Sequence, residues 1–166
     1  MNVALLHHGR GAPAVHELAG SLRESGHDIT VLTPDPTALE TPLERRGFTT
    51  PLTHLPFTCA ALLRGNCDVA HAFSAQDAYA ALLWRRRSGR PVVFSLIEAI
   101  ERERLADARL RLRFLSTVLE QSDALIVHDN EARAAAWRWL ALEPRVIAAS
   151  DAAGHERLYR SLLAQT

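Results

Sequence analysis

Val3-Ala4-Leu5-Leu6-His7-His8-Gly9-Arg10-Gly11-Ala12-Pro13 is the stretch on which the fold turns. Four apolar residues without polar alternation suit a strand buried on both faces. The histidines and glycines that follow make a loop, and Pro13 suits the first turn of a helix. The same order of events recurs along the chain. Apolar runs stand at Ile29-Thr30-Val31-Leu32, Val69-Ala70-His71-Ala72-Phe73, Val92-Val93-Phe94-Ser95-Leu96, Ala124-Leu125-Ile126-Val127 and Val146-Ile147-Ala148. They exit through Thr33-Pro34-Asp35, Ser74, Glu98, His128-Asp129 and Ser150-Asp151. Doubly buried strands imply a parallel sheet covered by helices. Ligands of such sheets bind outside the carboxyl ends of the strands. The ionisable residues at these exits are therefore the first candidates for a site.

Between the runs the spacing becomes helical. Val15, Leu18, Ala19 and Leu22 define a helix over 14–25, stopped by Gly26. Further helices are predicted over 58–64, 76–87, 102–121, 130–140 and 153–163. A weaker strand is expected around Gly47 to Leu55, where Thr49, Thr50 and Thr53 favour β structure. The expectation is α/β: a single Rossmann-like domain over 1–166, with a mostly parallel sheet of about seven strands flanked by helices. It ends in a short carboxyl-terminal helix, about 153–163.

Composition bounds the chemistry. The chain has 166 residues, 48% of them hydrophobic and 23% charged, as in ordinary globular domains. Nineteen basic and nineteen acidic residues cancel, so no global field favours nucleic acid. Every basic residue is Arg, which excludes a Schiff-base lysine and a Walker-type phosphate lysine. Cys59 and Cys67 are too few for a disulfide framework and lack the spacing of a zinc site. Two free thiols and a first strand at the amino terminus point to a cytoplasmic protein without a signal peptide. No apolar stretch approaches the roughly 20 residues that span a bilayer, so no transmembrane segment is expected.

Several constellations carry candidate chemistry. Gly9-Arg10-Gly11 lies between a strand and a helix amino terminus, where backbone N–H groups and the helix dipole attract anions. Arg10 would add a bidentate phosphate contact, and His8 stands beside it. The alternative is a tight turn that needs glycine for backbone reasons. Gly9, Gly11 and Ala14 also satisfy a loose dinucleotide pattern, with Asp35 near the ribose distance. Two histidines before Gly9 and Pro13 in the loop argue against a nicotinamide site. His7, His8, His71 and His128 all fall near strand exits, and His7 or His8 would meet His71 if the first and fourth predicted strands are neighbours. Imidazoles there can orient a hydroxyl or act as a base; the alternative is hydrogen-bonded rim residues. The spacing does not gather three metal ligands, so no metal is expected. Ser74 with Asp77 reads as a helix cap, and Asp129 as another. Glu98 is a candidate for a ligand hydroxyl.

Arg102, Arg104, Arg109, Arg111 and Arg113 crowd one helix. Such a face can lie on an anionic membrane, but Glu98, Glu101, Glu103 and Asp107 interleave with them and suit a solvated face with internal ion pairs. Trp137 and Trp139 point to different faces of their helix; one suits the core and the other an interface.

The order of these segments resembles the amino-terminal, acceptor-side domain of a GT-B glycosyltransferase of the family-four type. The resemblance is carried by the strand and glycine loop of Val3 to Gly11, by His16-Glu17-Leu18-Ala19 and by Gly26-His27-Asp28-Ile29-Thr30-Val31-Leu32-Thr33. It continues through Asp68 to Ser74, Gly89-Arg90-Pro91-Val92-Val93-Phe94 and Ser122 to Val127. It implies glycosyl transfer from a sugar nucleotide to a hydroxyl acceptor, often at membranes on lipid-linked acceptors. In the family a second domain holds the sugar nucleotide, with paired glutamates and basic residues on the diphosphate; none of these motifs occurs in this chain. His155 to Leu163 resembles the family's final helix, as though the donor half had been removed and the ends rejoined. Family members often carry His after the fifth predicted strand; here Ser95-Leu96-Ile97-Glu98 places Ile97, which moves no proton. His71 and Glu98 remain the catalytic candidates, and Gly9, Arg10, Gly11 and His8 the phosphate or acceptor candidates. No cofactor is expected, except a sugar nucleotide whose site a donor-binding partner would supply. A homodimer, a non-catalytic interaction module and a small stand-alone nucleotide-binding enzyme are the other readings.

Overall fold

The computed structural model describes residues 1–7, 13–32, 50–96, 109–127, 134, 146–147 and 151–165. In chain order the elements are β1 (Asn2–Leu6), α1 (Pro13–Glu24), β2 (Asp28–Leu32), α2 (Thr50–Arg64), β3 (Val69–Ala72) and α3 (Ala75–Ser88). They continue with β4 (Val92–Leu96), α4 (Arg109–Gln121), β5 (Ala124–Val127), β6 (Val146–Ile147) and α5 (Ala152–Leu163). The sheet order is β2-β1-β3-β4-β5-β6, and every pairing is parallel. The reading of a parallel α/β sheet holds, but its strand count does not. Five strands of four or five residues carry the described sheet, with β6 adding a two-residue rung.

The expected strand around Gly47 to Leu55 accounts for the difference. From Thr50 onward that stretch is the start of α2, which absorbs the helix predicted over 58–64. Pro51 falls in the first turn, where its missing N–H costs nothing. Thr58 and Leu62, one helical turn apart, are buried beneath α2, and the helix packs along α3. Gly47, Phe48 and Thr49 lie outside the described residues; from Thr50 on, packing of a helical face outweighs the β preference of threonine, because that preference depends on a pleated neighbour.

Right-handed crossovers between parallel strands decide which helix covers which face. Moving outward from β1 to β2 places α1 on one face. Moving back through β3, β4 and β5 places α2, α3 and α4 on the other. The two cores separate accordingly. Ala4, Leu6, Ala72, Phe94 and Leu125 pack beneath α2, α3 and α4, with Leu62, Trp84 and Leu119. Val3, Leu5, Val69, Val93 and Ile126 point the other way, toward Val15, Ala19 and Leu22 of α1. Among the described elements, α1 alone would leave β3 and β4 bare on that face. Helix α5 supplies the missing cover with Leu158 and Tyr159 and packs beside α1.

Two carboxylates tie the amino-terminal ends of the strands. Asp68 accepts the N–H of Asn2 (2.8 Å) and the guanidinium of Arg90 (2.7 Å). Asp123 accepts the N–H of Val92 (2.8 Å) and Arg85 (2.6 Å). Helix α3 carries both its caps: Ser74 Oγ accepts the N–H of Asp77 at 3.1 Å, and Gly89 closes the helix at φ 71°. That Gly89 conformation is left-handed and suits a residue without Cβ.

Candidate functional site

Two polar side chains stand in the middle of otherwise apolar strands. His71 is the third residue of β3 and Ser95 the fourth of β4. Parallel register pairs His71 with Val93 and Ala72 with Phe94, so Ser95 lies one step further along β4. Strand alternation turns both side chains to the face covered by α5. They meet there: His71 Nε2 is 2.7 Å from Ser95 Oγ. On the other side of the ring, His71 Nδ1 is 2.6 Å from Tyr159 Oη, which descends from α5. All three side chains are fully buried.

Aromatic rings enclose this chain of hydrogen bonds. Phe73 lies 4.3 Å from the His71 ring, centroid to centroid, and His155 stacks on it at 5.6 Å. His7, at the exit of β1, meets the edge of Phe73 at 6.4 Å. His155 is itself buried, and its Nδ1 lies 2.8 Å from the carbonyl of Asp151. A carbonyl only accepts, so Nδ1 of His155 carries a proton. Asp151 caps α5 through its carboxylate, which accepts the N–H of Gly154 at 2.8 Å.

Burial pushes the Tyr159 phenol far above its ordinary value, so it stays protonated and can donate. Serine, histidine and tyrosine in series invite comparison with a nucleophile, its base and an orienting group. Ser95 is wholly inaccessible, however, and the groups described on either side of the ring are hydroxyls, not carboxylates. In the docked state the arrangement holds a helix on a sheet and fixes the direction of one imidazole; it does not expose a nucleophile.

The predicted site residues fare unequally. His71 is inside β3 rather than at its exit, and its side chain is fully buried. β1 and β3 are neighbours, as the expected strand order requires. Phe73 contacts both His7 and His71. Ser74 Oγ donates to Asp77 Oδ2 at 2.7 Å as well as capping, so this pair serves the helix. His8, Gly9, Arg10 and Gly11 lie outside the described residues, as do Asp35, Ile97, Glu98, His128, Asp129, Trp137 and Trp139. Among the described residues no group of three His, Cys, Asp or Glu side chains is placed to hold a metal ion. Nor is any helix among them long and apolar enough to cross a membrane. Sequence reading missed Ser95, His155 and Tyr159 as members of the cluster. The available signal was two polar residues, His71 and Ser95, inside buried strands, since buried polar groups require partners.

A cleft of about 680 Å³ opens at the opposite rim, by the amino-terminal ends of β4 and β5. Its charged walls include Arg85 and Asp123, which pair with each other. It is remote from the strand exits, where sheets of this kind bind their ligands.

An open parallel sheet of this order, with the last helix laid back on the face of α1, is the architecture of the amino-terminal half of a GT-B glycosyltransferase. The profile of Glycosyltransferase Family 4 matches residues 12–149, and the chain belongs to that family. No curated protein sequence matches it. Among solved structures, a piece of sucrose-phosphate synthase from Thermosynechococcus elongatus, designated 27_220_406_426, superposes with a TM-score of 0.67 at 18% identity. The match covers 98% of this chain and 99% of that one. UDP-GlcNAc 2-epimerase from Methanocaldococcus jannaschii superposes with a TM-score of 0.61 at 15% identity, over 89% of this chain and 45% of that one. Anabaena Alr3699/HepE in complex with UDP matches at 0.59 and 12% identity, over 89% of this chain and 43% of that one. The chain thus spans about half the length of the epimerase and HepE chains.

Proposed function

We propose that the chain, as one domain over 1–166, is the acceptor-side half of a GT-B glycosyltransferase. It supports transfer of a glycosyl group from a sugar nucleotide to a hydroxyl acceptor only together with a donor-binding partner, whether a second chain or a further domain. The observation that carries this reading is the near-complete overlap with the sucrose-phosphate synthase piece. Read as two spans of a longer protein, its designation describes an early segment joined to a short late one. Helix α5 is the counterpart of that late segment, returning to cover β3 and β4.

In this reading the rim loop of His8, Gly9, Arg10 and Gly11 contacts a phosphate or the acceptor. Free N–H groups at the start of α1 favour an anion there. Glu98, after β4, engages an acceptor hydroxyl, and His71 acts from beneath through Ser95. The protein works in the cytoplasm, at a membrane surface where the acceptor is lipid-linked.

The test uses purified chain and UDP-glucose. Calorimetry is expected to give no heat with the chain alone, and transfer to appear when a donor-binding half from the same genome neighbourhood is added. Turnover of UDP-glucose by the chain alone overturns the need for a partner. Arg10→Ala is expected to abolish binding of a phosphate-bearing ligand in the assembled pair; unchanged binding returns Gly9 and Gly11 to the role of a turn.

The burial of His71 favours a second reading, a non-catalytic domain that binds a partner protein or its own copy. Solution mass separates the two: a stable homodimer that ignores sugar nucleotides supports the module.

A further inference from the structure

We infer that Tyr159 is a positioning residue whose hydroxyl fixes the tautomer of His71 and thereby sets the hydrogen bonding of Ser95 on β4. A phenol is a stronger donor and a weaker acceptor than an aliphatic hydroxyl. Of the two proton arrangements open to a neutral ring, the favoured one therefore has Tyr159 donating to Nδ1 of His71. The ring proton then sits on Nε2 and donates to Ser95 Oγ. The Ser95 hydroxyl proton is left to turn toward another acceptor. Helix α5 enters this hydrogen-bonded chain through Tyr159, so the three groups meet only while α5 is docked.

The consequence is a link between the last helix and the exit of β4. Ser95 and Leu96 are the final residues before the segment that holds Ile97 and Glu98. Release of α5 removes the donor at Nδ1, frees His71 to exchange tautomers and loosens Ser95. Docking of α5 thus reports itself at the strand end where acceptor chemistry is proposed. Steric cover alone explains Leu158 but not Tyr159: a phenylalanine would fill the same space, whereas the hydroxyl is matched to a buried ring nitrogen at 2.6 Å. The functional meaning of this link rests on the acceptor-side reading above, but its geometry does not.

Long-range proton–nitrogen correlation on the histidine-labelled full chain tests it. His71 is expected as a single neutral tautomer with the proton on Nε2. In Tyr159→Phe the chain remains folded, because ring packing is kept. There the His71 ring-nitrogen signals are expected to move toward the average of two tautomers, and the Ser95 and Leu96 amide resonances to shift. Leu158→Ala, which loosens the same helix without touching the hydroxyl, is expected to leave the tautomer in place while α5 stays docked. A proton on Nδ1 in the parent chain overturns the inference, as do unchanged His71, Ser95 and Leu96 signals in Tyr159→Phe. The tautomer is read on the parent, so the test stands even where a variant fails to fold. Loss of sugar-nucleotide chemistry with every partner defeats the functional reading while leaving this result intact, and the two failures are distinguishable.

Discussion

Tyr159 and His71 are 88 positions apart in the chain and 2.6 Å apart in space. This follows from a carboxyl-terminal helix returning to the face that, among the described elements, α1 covers only in part. Truncating the contact should therefore separate helix docking from the rest of folding. Tyr159→Phe is expected to cost about 1–3 kcal/mol, because a buried acceptor loses its partner. Tyr159→Ala also opens a cavity and should cost about 3–5 kcal/mol. Urea titration followed by circular dichroism checks both, and an alanine variant no weaker than the phenylalanine one would show that α5 does not pack as described.

Asp123 offers a cleaner division between charge and hydrogen bonding. Its carboxylate accepts the buried N–H of Val92 and pairs with Arg85, which is 39% exposed. An exposed ion pair is worth at most about 1 kcal/mol. Asp123→Asn keeps an acceptor for Val92 and should cost less than about 1 kcal/mol. Asp123→Ala strands that N–H and should cost about 1–3 kcal/mol. Equal losses in thermal stability for the two variants would contradict this division.

Alkaline stability follows from two buried acids. Burial pushes the Cys67 thiol above its ordinary 9.0; Arg90 opposes the shift, and Asp68 and Asp28 reinforce it. Burial does the same to Tyr159, whose ordinary value is 10.0. In both cases the folded state holds a proton that the unfolded chain releases. Their contribution is complete below pH 9 and is lost as pH rises through the folded values. The fall is at most about 1.4 kcal/mol per pH unit for each group. Urea midpoints between about pH 8 and about pH 10.5 should drop, and drop less in Cys67→Ala. A flat profile would sink this account.

Two glycines respond oppositely to the same substitution. Gly89 holds a left-handed conformation with open space around its α-carbon, so Gly89→Ala is strained without clashing. A loss of about 1–2 kcal/mol is expected. Gly20 lies inside α1 with equally open space and ordinary helical geometry. Gly20→Ala should raise stability by about 0.5–1 kcal/mol, through the lower entropy of the unfolded chain. Calorimetric melting of the two variants reads both signs at once.

Much of this architecture was legible in the residues. Unbroken apolar runs at Val3, Val92 and Ala124 specify strands buried on two sides, and that pattern admits little besides a parallel sheet under helices. Pro13, Gly26, Ser74 and Gly89 mark helix ends through local backbone chemistry, which needs no distant partner. The stretch from Thr50 misled because the β preference of threonine expresses packing against a neighbouring strand, and here the neighbour is α3. The resemblance to family four was likewise carried by local segments in a fixed order.

The site divides along the same line. Sequence supplied His71 as a residue of interest but put it on the rim, because a strand's boundary is set by its partner's register and not by its own composition. Ser95 and Tyr159 join His71 through β-sheet alternation and through the docking of α5, each a contact between segments distant in the chain. Local chemistry determined which elements form and in what order. Only tertiary packing determined that a histidine, a serine and a tyrosine share one dry space, since burial depends on what covers the sheet and the covering helix comes last.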